Sequence, residues 1–258
     1  MNIAASLRTE LMKTKRSAAL WIVVLGAGFV PFIMMISYLV QPKQNIERLY
    51  KNNPNPWIFH VGNIWQGFSI FLLPMFIIIV CSLITQIEYK NNTWKQVFAS
   101  PQPYSNIYFS KLTAIIAMIF FLFILFDLFT LGAAIVPNLF FSKYGFLNHS
   151  FGWRNFLILN LRTFISTLGI IAIQYVLSMR FKNFIVPIGI GLACLIATLI
   201  AMSWEHIFKI PYAHPFLTMR FHEVKKGWLQ NHEWNAIGYF VFFTTLGLLD
   251  MRYRKERG

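Results

Sequence analysis

The sequence predicts an all-α membrane protein. It has six transmembrane helices, an interfacial helix ahead of the first, and a short cytoplasmic helix between spans two and three. Three observations carry this. The chain is 57% hydrophobic and only 12% charged, against about 25% charged residues in soluble domains, and the deficit falls in blocks. Six apolar runs follow one another, and about 20 such residues cross the hydrocarbon. The basic residues gather in alternate gaps between the runs, as cytoplasmic loops do.

The elements follow in order. Residues 1–16 read as a helix in the membrane surface: Ile3, Ala4, Leu7 and Leu11 recur at helical spacing, with Arg8, Glu10 and Lys13 on other faces. The spans are expected at 18–40, 67–85, 112–136, 156–178, 184–202 and 234–253. The first run has 23 residues, longer than the apolar core of a secretion signal, so it reads as a span. The last has a short uncharged core, Ala236 to Leu249, and charge decides for it. With six crossings, 13 basic residues fall on the side of both termini and 9 on the other; with five, the bias inverts. Both termini are therefore expected in the cytoplasm. Trp65, Trp153, Trp204 and Trp234 fall at expected outer ends and Trp21 near an inner end, the pattern of an aromatic belt. Pro31, Pro74 and Pro187 lie inside spans and are expected to kink them. No segment stands apart as a soluble domain, so residues 1–258 read as one membrane domain.

The net charge of +14 does not point to nucleic acid, because the charges sit in loops and tails. Anionic lipid is the expected attractor. Cys81 and Cys194 sit in different apolar runs with no metal-ligand spacing around them. The six histidines fall in expected outer loops at spacings that match no metal motif. No P-loop, HExxH or GxSxG sequence occurs, so no catalytic residue, cofactor or metal is expected. Two ionisable residues lie at membrane depth. Asp127 is about 14 Å and Arg162 about 9 Å from the same face at helical rise, on consecutive antiparallel spans. An intramembrane Asp127–Arg162 ion pair is the expectation.

The second loop, Gln86 to Lys111, is the sharpest feature. Asn92 or Thr93 can cap a helix. Trp94, Val97 and Phe98 then form an i, i+3, i+4 apolar stripe, Pro101 and Pro103 end it, and Ser105 can cap the third span. The stripe has no soluble core of its own to enter, so it must bury in lipid headgroups or in a partner.

This loop resembles that of permease subunits of type-two ABC exporters. The resemblance rests on Glu88 shortly after span two, Thr93, Ser100-Pro101, Ser105, and Lys111 opening span three. Six spans, an interfacial N-terminal helix and a long last outer loop fit the same family, and the closest likeness is to small lantibiotic-protection and bacitracin-type permeases. The resemblance implies a coupling helix in Gln86–Lys111 that docks on a separate ABC ATPase. Glu88, Tyr89, Thr93, Trp94, Val97, Phe98 and Pro101 would be its contact and positioning residues. It further implies a second permease chain, identical or related, a place in the bacterial cytoplasmic membrane, and export of a peptide antibiotic, drug or lipid-like substrate. Trp204–Trp234 would correspond to an outer re-entrant segment. Two other readings stand beside it: a secondary transporter or channel, which calls for several midspan carboxylates and inverted repeats where only Asp127 and Arg162 and no repeat are seen, and a membrane sensor or enzyme component resting on the outer histidines.

Overall fold

The structure, a computed structural model, describes residues 3–15, 17–51, 53–91, 103–221 and 228–253. These residues are helical with short connections and contain no strand. Five helical runs are long and apolar enough to cross a membrane: Ala18–Val40, Pro56–Lys90, Tyr104–Phe140, Trp153–Arg180 and Ile185–Ser203.

Helix α1 (Ile3–Lys15) precedes α2 (Ala18–Val40). Gln41 ends α2 because the next residue is Pro42, which disfavours helical backbone before it. Pro42 then opens α3 (Pro42–Tyr50), and the Asn45 amide returns to cap the carbonyls of Ser37 and Gln41. Helix α4 (Pro56–Gly67) starts with Asn55, whose side chain accepts from the Trp57 N–H, and with Pro56 at the first position. It runs on through a π turn, Phe68–Leu72, into α5 (Leu73–Lys90). That turn answers Pro74. A proline has no N–H and its ring presses on the preceding turn, and the widened turn, where the Leu73 N–H reaches back to Phe68 O, absorbs both.

Helix α6 (Tyr104–Phe140) has 37 residues, about 55 Å at helical rise, well beyond a hydrocarbon core of about 30 Å. Helices α7 (Trp153–Arg180) and α8 (Ile185–Ile200) form an antiparallel pair over a four-residue turn. After three short 3-10 turns come α9 (His214–Phe221) and α10 (Asn231–Tyr253).

Several expected bounds move. The second helix begins eleven residues earlier than the expected span, at Pro56, because the Asn55-Pro56 start lies in what reads as loop. Helix α6 begins at Tyr104 with Pro103 as its N-cap residue and no side-chain cap, so Ser105 lies inside the helix and does not cap it. Pro187 sits in the first turn of α8, where an absent N–H breaks no intrahelical bond. Trp65 is not in a belt: it is fully buried against Phe68, Phe123 and Phe126. Trp21, Trp153, Trp204 and Trp234 are exposed, as belt residues are.

Helix α10 lies beside α7 and runs parallel to it. Glu233 meets Arg162, Ala236 and Tyr239 close on Gly169, Gly247 lies against Val176, and Asp250 meets Arg180. The pairing thus extends along α7 for about 27 Å. One end of the bundle carries α1, the end of α5, the start of α6 and the α7–α8 turn. The opposite end carries α3, the start of α4, the 141–152 connection and α9.

That opposite end is closed by an aromatic cap of Tyr38, Trp57, His60, Tyr144 and Phe146. The His60 Nε2–H donates to Thr130 O (2.9 Å), so Nδ1 is the acceptor for the Tyr38 hydroxyl (3.0 Å). Gly145 turns the chain there in the left-handed region at φ 67°, with the Tyr50 hydroxyl pressed on its open side.

Candidate functional site

The site is built where α1, α5 and α6 meet. Along α1, Ser6, Glu10 and Thr14 recur every fourth residue and are buried, while Arg8, Leu11 and Met12 are exposed. The face turned into the protein is therefore the polar one, and Leu11 faces outward. This reverses the expected use of the two faces, which placed Glu10 away from the packed side. The Ser6 hydroxyl donates to Ser110 on α6 (3.0 Å).

Glu10 explains the reversal. Its two oxygens accept from Lys13 Nζ (2.7 Å) and Lys111 Nζ (2.7 Å). The Glu88 oxygens accept from the same two ammonium groups, at 3.0 Å from Lys13 and 2.8 Å from Lys111. Two carboxylates and two ammoniums alternate in a closed, neutral ring. Lys111 and Glu88 are each 1% exposed and Lys13 is 30% exposed. Burial works to raise the Glu10 carboxyl, but Lys111 and then Lys13 outweigh it and hold the group below the ordinary carboxylate range. Burial likewise works to lower the Lys13 ammonium, and its contacts to Glu10 and Glu88 raise it above the usual value.

Glu88 is the third-last residue of α5 and Lys111 the eighth of α6. The ring therefore fastens together both roots of the loop between them and ties the pair to α1. Further bonds hold the same roots to α7: the Tyr89 hydroxyl donates to Met179 O (2.9 Å), Gln86 Nε2 to Phe181 O (3.1 Å), and the Tyr175 hydroxyl to Tyr108 O (2.8 Å). Of the residues singled out in this loop, Glu88 and Tyr89 are thus placed at its root. Thr93, Trp94, Val97, Phe98 and Pro101 lie outside the described residues.

A second buried network closes the far end. The Arg162 guanidinium forks onto Glu233, Nε to Oε1 at 2.8 Å and Nη2 to Oε2 at 3.2 Å. The Gln230 N–H adds a 2.6 Å bond to Oε2, and the Thr218 hydroxyl lies between Glu233 Oε1 (3.4 Å) and His232 Nε2 (2.9 Å). Helices α7, α9 and α10 are joined there, and Glu233 is fully buried. The expected Asp127–Arg162 pair is not formed. A carboxylate that accepts from two N–H groups along one guanidinium edge outcompetes a single contact, and α10 begins early enough to put Glu233, read from the sequence as a loop residue, at the level of Arg162. The histidines are also not all solvated loop residues: His60, His214 and His232 are buried. At His214, burial and then the neighbouring His232 push the imidazole down to about 3, so it is neutral, donating from Nε2 to Phe208 O (2.9 Å). No group of three or more metal-ligating side chains occurs among the described residues. Cys81 and Cys194 are free thiols.

Residues 6–200 match the family model of the ABC-2 family transporter protein. The chain belongs to the ABC-2 transporter family. The ABC-2 match takes in most of α1, the ion ring and the apolar runs as far as residue 200, and ends before α9 and α10. No curated protein and no solved structure matches the chain. As an ABC-2 protein with several membrane-crossing helices, it is a multi-pass membrane permease of an ABC transporter, a transport subunit.

Proposed function

We propose that this ABC-2 permease is the membrane half of an exporter driven by a separate ATP-binding-cassette ATPase. Gln86–Lys111 is its docking segment, with Trp94, Val97 and Phe98 as the apolar plug and Glu88, Tyr89, Thr93 and Pro101 as positioning residues. The observation that carries this is the closed ring of Glu10, Lys13, Glu88 and Lys111. A loop whose two roots are locked to each other and to α1 moves as one piece. A push on its tip therefore reaches α5, α6 and α1 together instead of being lost in a flexible hinge.

In this reading, α10 is the sixth crossing. Its parallel course along α7 over about 27 Å supports that, as does the basic-residue bias, which puts both termini in the cytoplasm of a bacterial inner membrane. The ring end is then cytoplasmic, and the aromatic cap and α9 are outer. Helix α9, latched to Arg162 and Glu233, acts as the outer closure that ATP-driven movement must release. Two permease chains, identical or related, complete the transporter. The substrate is a peptide antibiotic, drug or lipid-like molecule, in line with the likeness to lantibiotic-protection permeases.

Trp94→Asp and Val97→Asp are expected to abolish co-purification of the tagged permease with the ATPase while leaving its own yield and melting temperature unchanged. Undiminished binding of the ATPase by both variants would refute the docking segment.

A further inference from the structure

The end of the bundle closed by the aromatic cap carries five exposed cations: Lys43 and Arg48 on α3, Lys51 just after it, Lys143 in the 141–152 connection and Arg154 at the start of α7. None of them makes an ion pair among the described residues. Glu47 is the one acid in residues 41–51 and 141–154, and it is exposed and not ion-paired either. The segments that carry these charges are fixed to each other. The Tyr50 hydroxyl donates to Tyr144 O (3.0 Å), the Tyr144 hydroxyl to Tyr38 O in α2 (2.6 Å), and Asn55 Nδ2 to Ser150 O (3.1 Å).

Three of the cations share one register. Val40 at the end of α2, Phe140 at the end of α6 and Leu157 near the start of α7 are 70%, 71% and 59% exposed. Three residues beyond each of them, away from the span, stands a cation: Lys43, Lys143 and Arg154. Helix α2 packs along α6, and α6 meets α7 where Phe120 and Phe123 close on Phe164, so the three helix ends are neighbours. The exposed residues of α2 run from Trp21 to Val40, about 29 Å at helical rise against a hydrocarbon thickness of about 30 Å. Lys43, just past that stripe, therefore lies at headgroup depth. Exposed apolar side chains followed by an unpaired cation are the complement of an anionic phospholipid, whose chains cover the first and whose phosphate meets the second.

We propose that Lys43, Lys143 and Arg154 form a binding surface for the headgroups of anionic phospholipid at the cap end of the bundle, with Arg48 and Lys51 adding to its positive field. Lipid is the occupant, and not a soluble polyanion, because each of the three cations adjoins exposed hydrocarbon. The charge also answers a topological cost: cations are disfavoured on the outer side of a membrane protein, and anionic headgroups there offset it. Assignment to the outer leaflet rests on the six-crossing reading, whereas the binding itself does not.

The test uses the purified full-length permease in proteoliposomes with the same lipid in both leaflets, so the result depends neither on orientation nor on an ATPase. The reporter is the emission of Trp153, which is exposed beside Arg154, taken as the difference between wild type and Trp153→Phe. Brominated phosphatidylglycerol in a phosphatidylcholine bilayer is expected to quench it with a preference of at least about fivefold over brominated phosphatidylcholine at the same fraction, the effect of one basic residue near an anionic surface. High salt is expected to narrow that gap. The Lys43→Gln, Lys143→Gln, Arg154→Gln triple variant is expected to lose the preference, and Lys182→Gln, which removes an exposed cation at the opposite end, is expected to keep it. Glycerol phosphate in solution, at the concentration of the phosphatidylglycerol, is expected to displace no lipid. Equal quenching by the two lipids in the wild type, a preference that survives in the triple variant, or displacement by glycerol phosphate would overturn the lipid surface.

Discussion

Lys111→Met is expected to lower the apparent melting temperature of the purified permease by about 10 °C and to uncouple transport from ATP hydrolysis. Lys111 is 1% exposed and holds one oxygen each of Glu10 and Glu88. Its removal leaves two buried carboxylates facing a single ammonium, and breaking a buried ion pair from one side costs about 3–5 kcal/mol. The Glu88→Gln, Lys111→Met double variant is expected to recover part of that loss, because Glu10 and Lys13 then remain as a balanced pair. The coupling between the two changes should be at least about 1 kcal/mol. Strictly additive losses would show that the four charges do not act as one ring. Glu10→Gln provides the complementary measurement: it removes one of the two α1 charges while keeping the Lys13–Glu88 and Glu88–Lys111 contacts, so it should cost less stability than Lys111→Met.

Arg162→Met is the second large effect. It strands the fully buried Glu233 carboxylate, and a loss of about 3–5 kcal/mol is again expected. The Arg162→Met, Glu233→Met pair should be more stable than Arg162→Met alone, since an apolar pair of similar volume leaves no buried charge. Asp127→Asn made on top of Arg162→Met should bring no such rescue. This comparison separates the partner found, Glu233, from the one expected, Asp127. Rescue by Asp127→Asn and not by Glu233→Met would contradict the network that closes α9 against α7 and α10. Thiol labelling of a cysteine placed at Leu217, buried on α9, gives a second readout: it should rise in Arg162→Met and fall back in the paired variant.

The membrane class and the positions of five apolar runs were legible because hydrocarbon demands long uncharged stretches and little else satisfies that pattern. The root of the second loop was legible through Glu88 and Lys111, since a charge at a span end stands out against an apolar background. The partners of those charges were not. Glu10 was read by helical phase alone, which put it on a solvent face. Phase cannot tell that α1 turns its polar side inward when two lysines wait there. The scarcity of acids was the missed signal: the chain has 9 acidic residues against 23 basic ones, so an acid near a span end is surrounded by candidate cations. Glu10, Glu88, Glu233 and Asp250 all pair with Lys or Arg. Glu233 escaped because α10 starts three residues before Trp234, within what reads as loop. The buried histidines escaped because a histidine in an apolar helix such as α4 looks, by composition, like one in a loop. The π turn at Phe68–Leu72 is set by Pro74 through the backbone, and hydropathy does not register it.

The coupling of this permease to an ATPase turns on what Trp94 touches. A photo-reactive benzoylphenylalanine at position 94, irradiated in membranes holding the complete transporter, is expected to give an adduct of the permease with its ATPase. The same probe at Phe140, at the opposite end of α6, is expected to give none. An ATPase adduct from position 140 and none from 94, with transport intact, would place the docking surface at the wrong end of the bundle and contradict the proposed route of coupling.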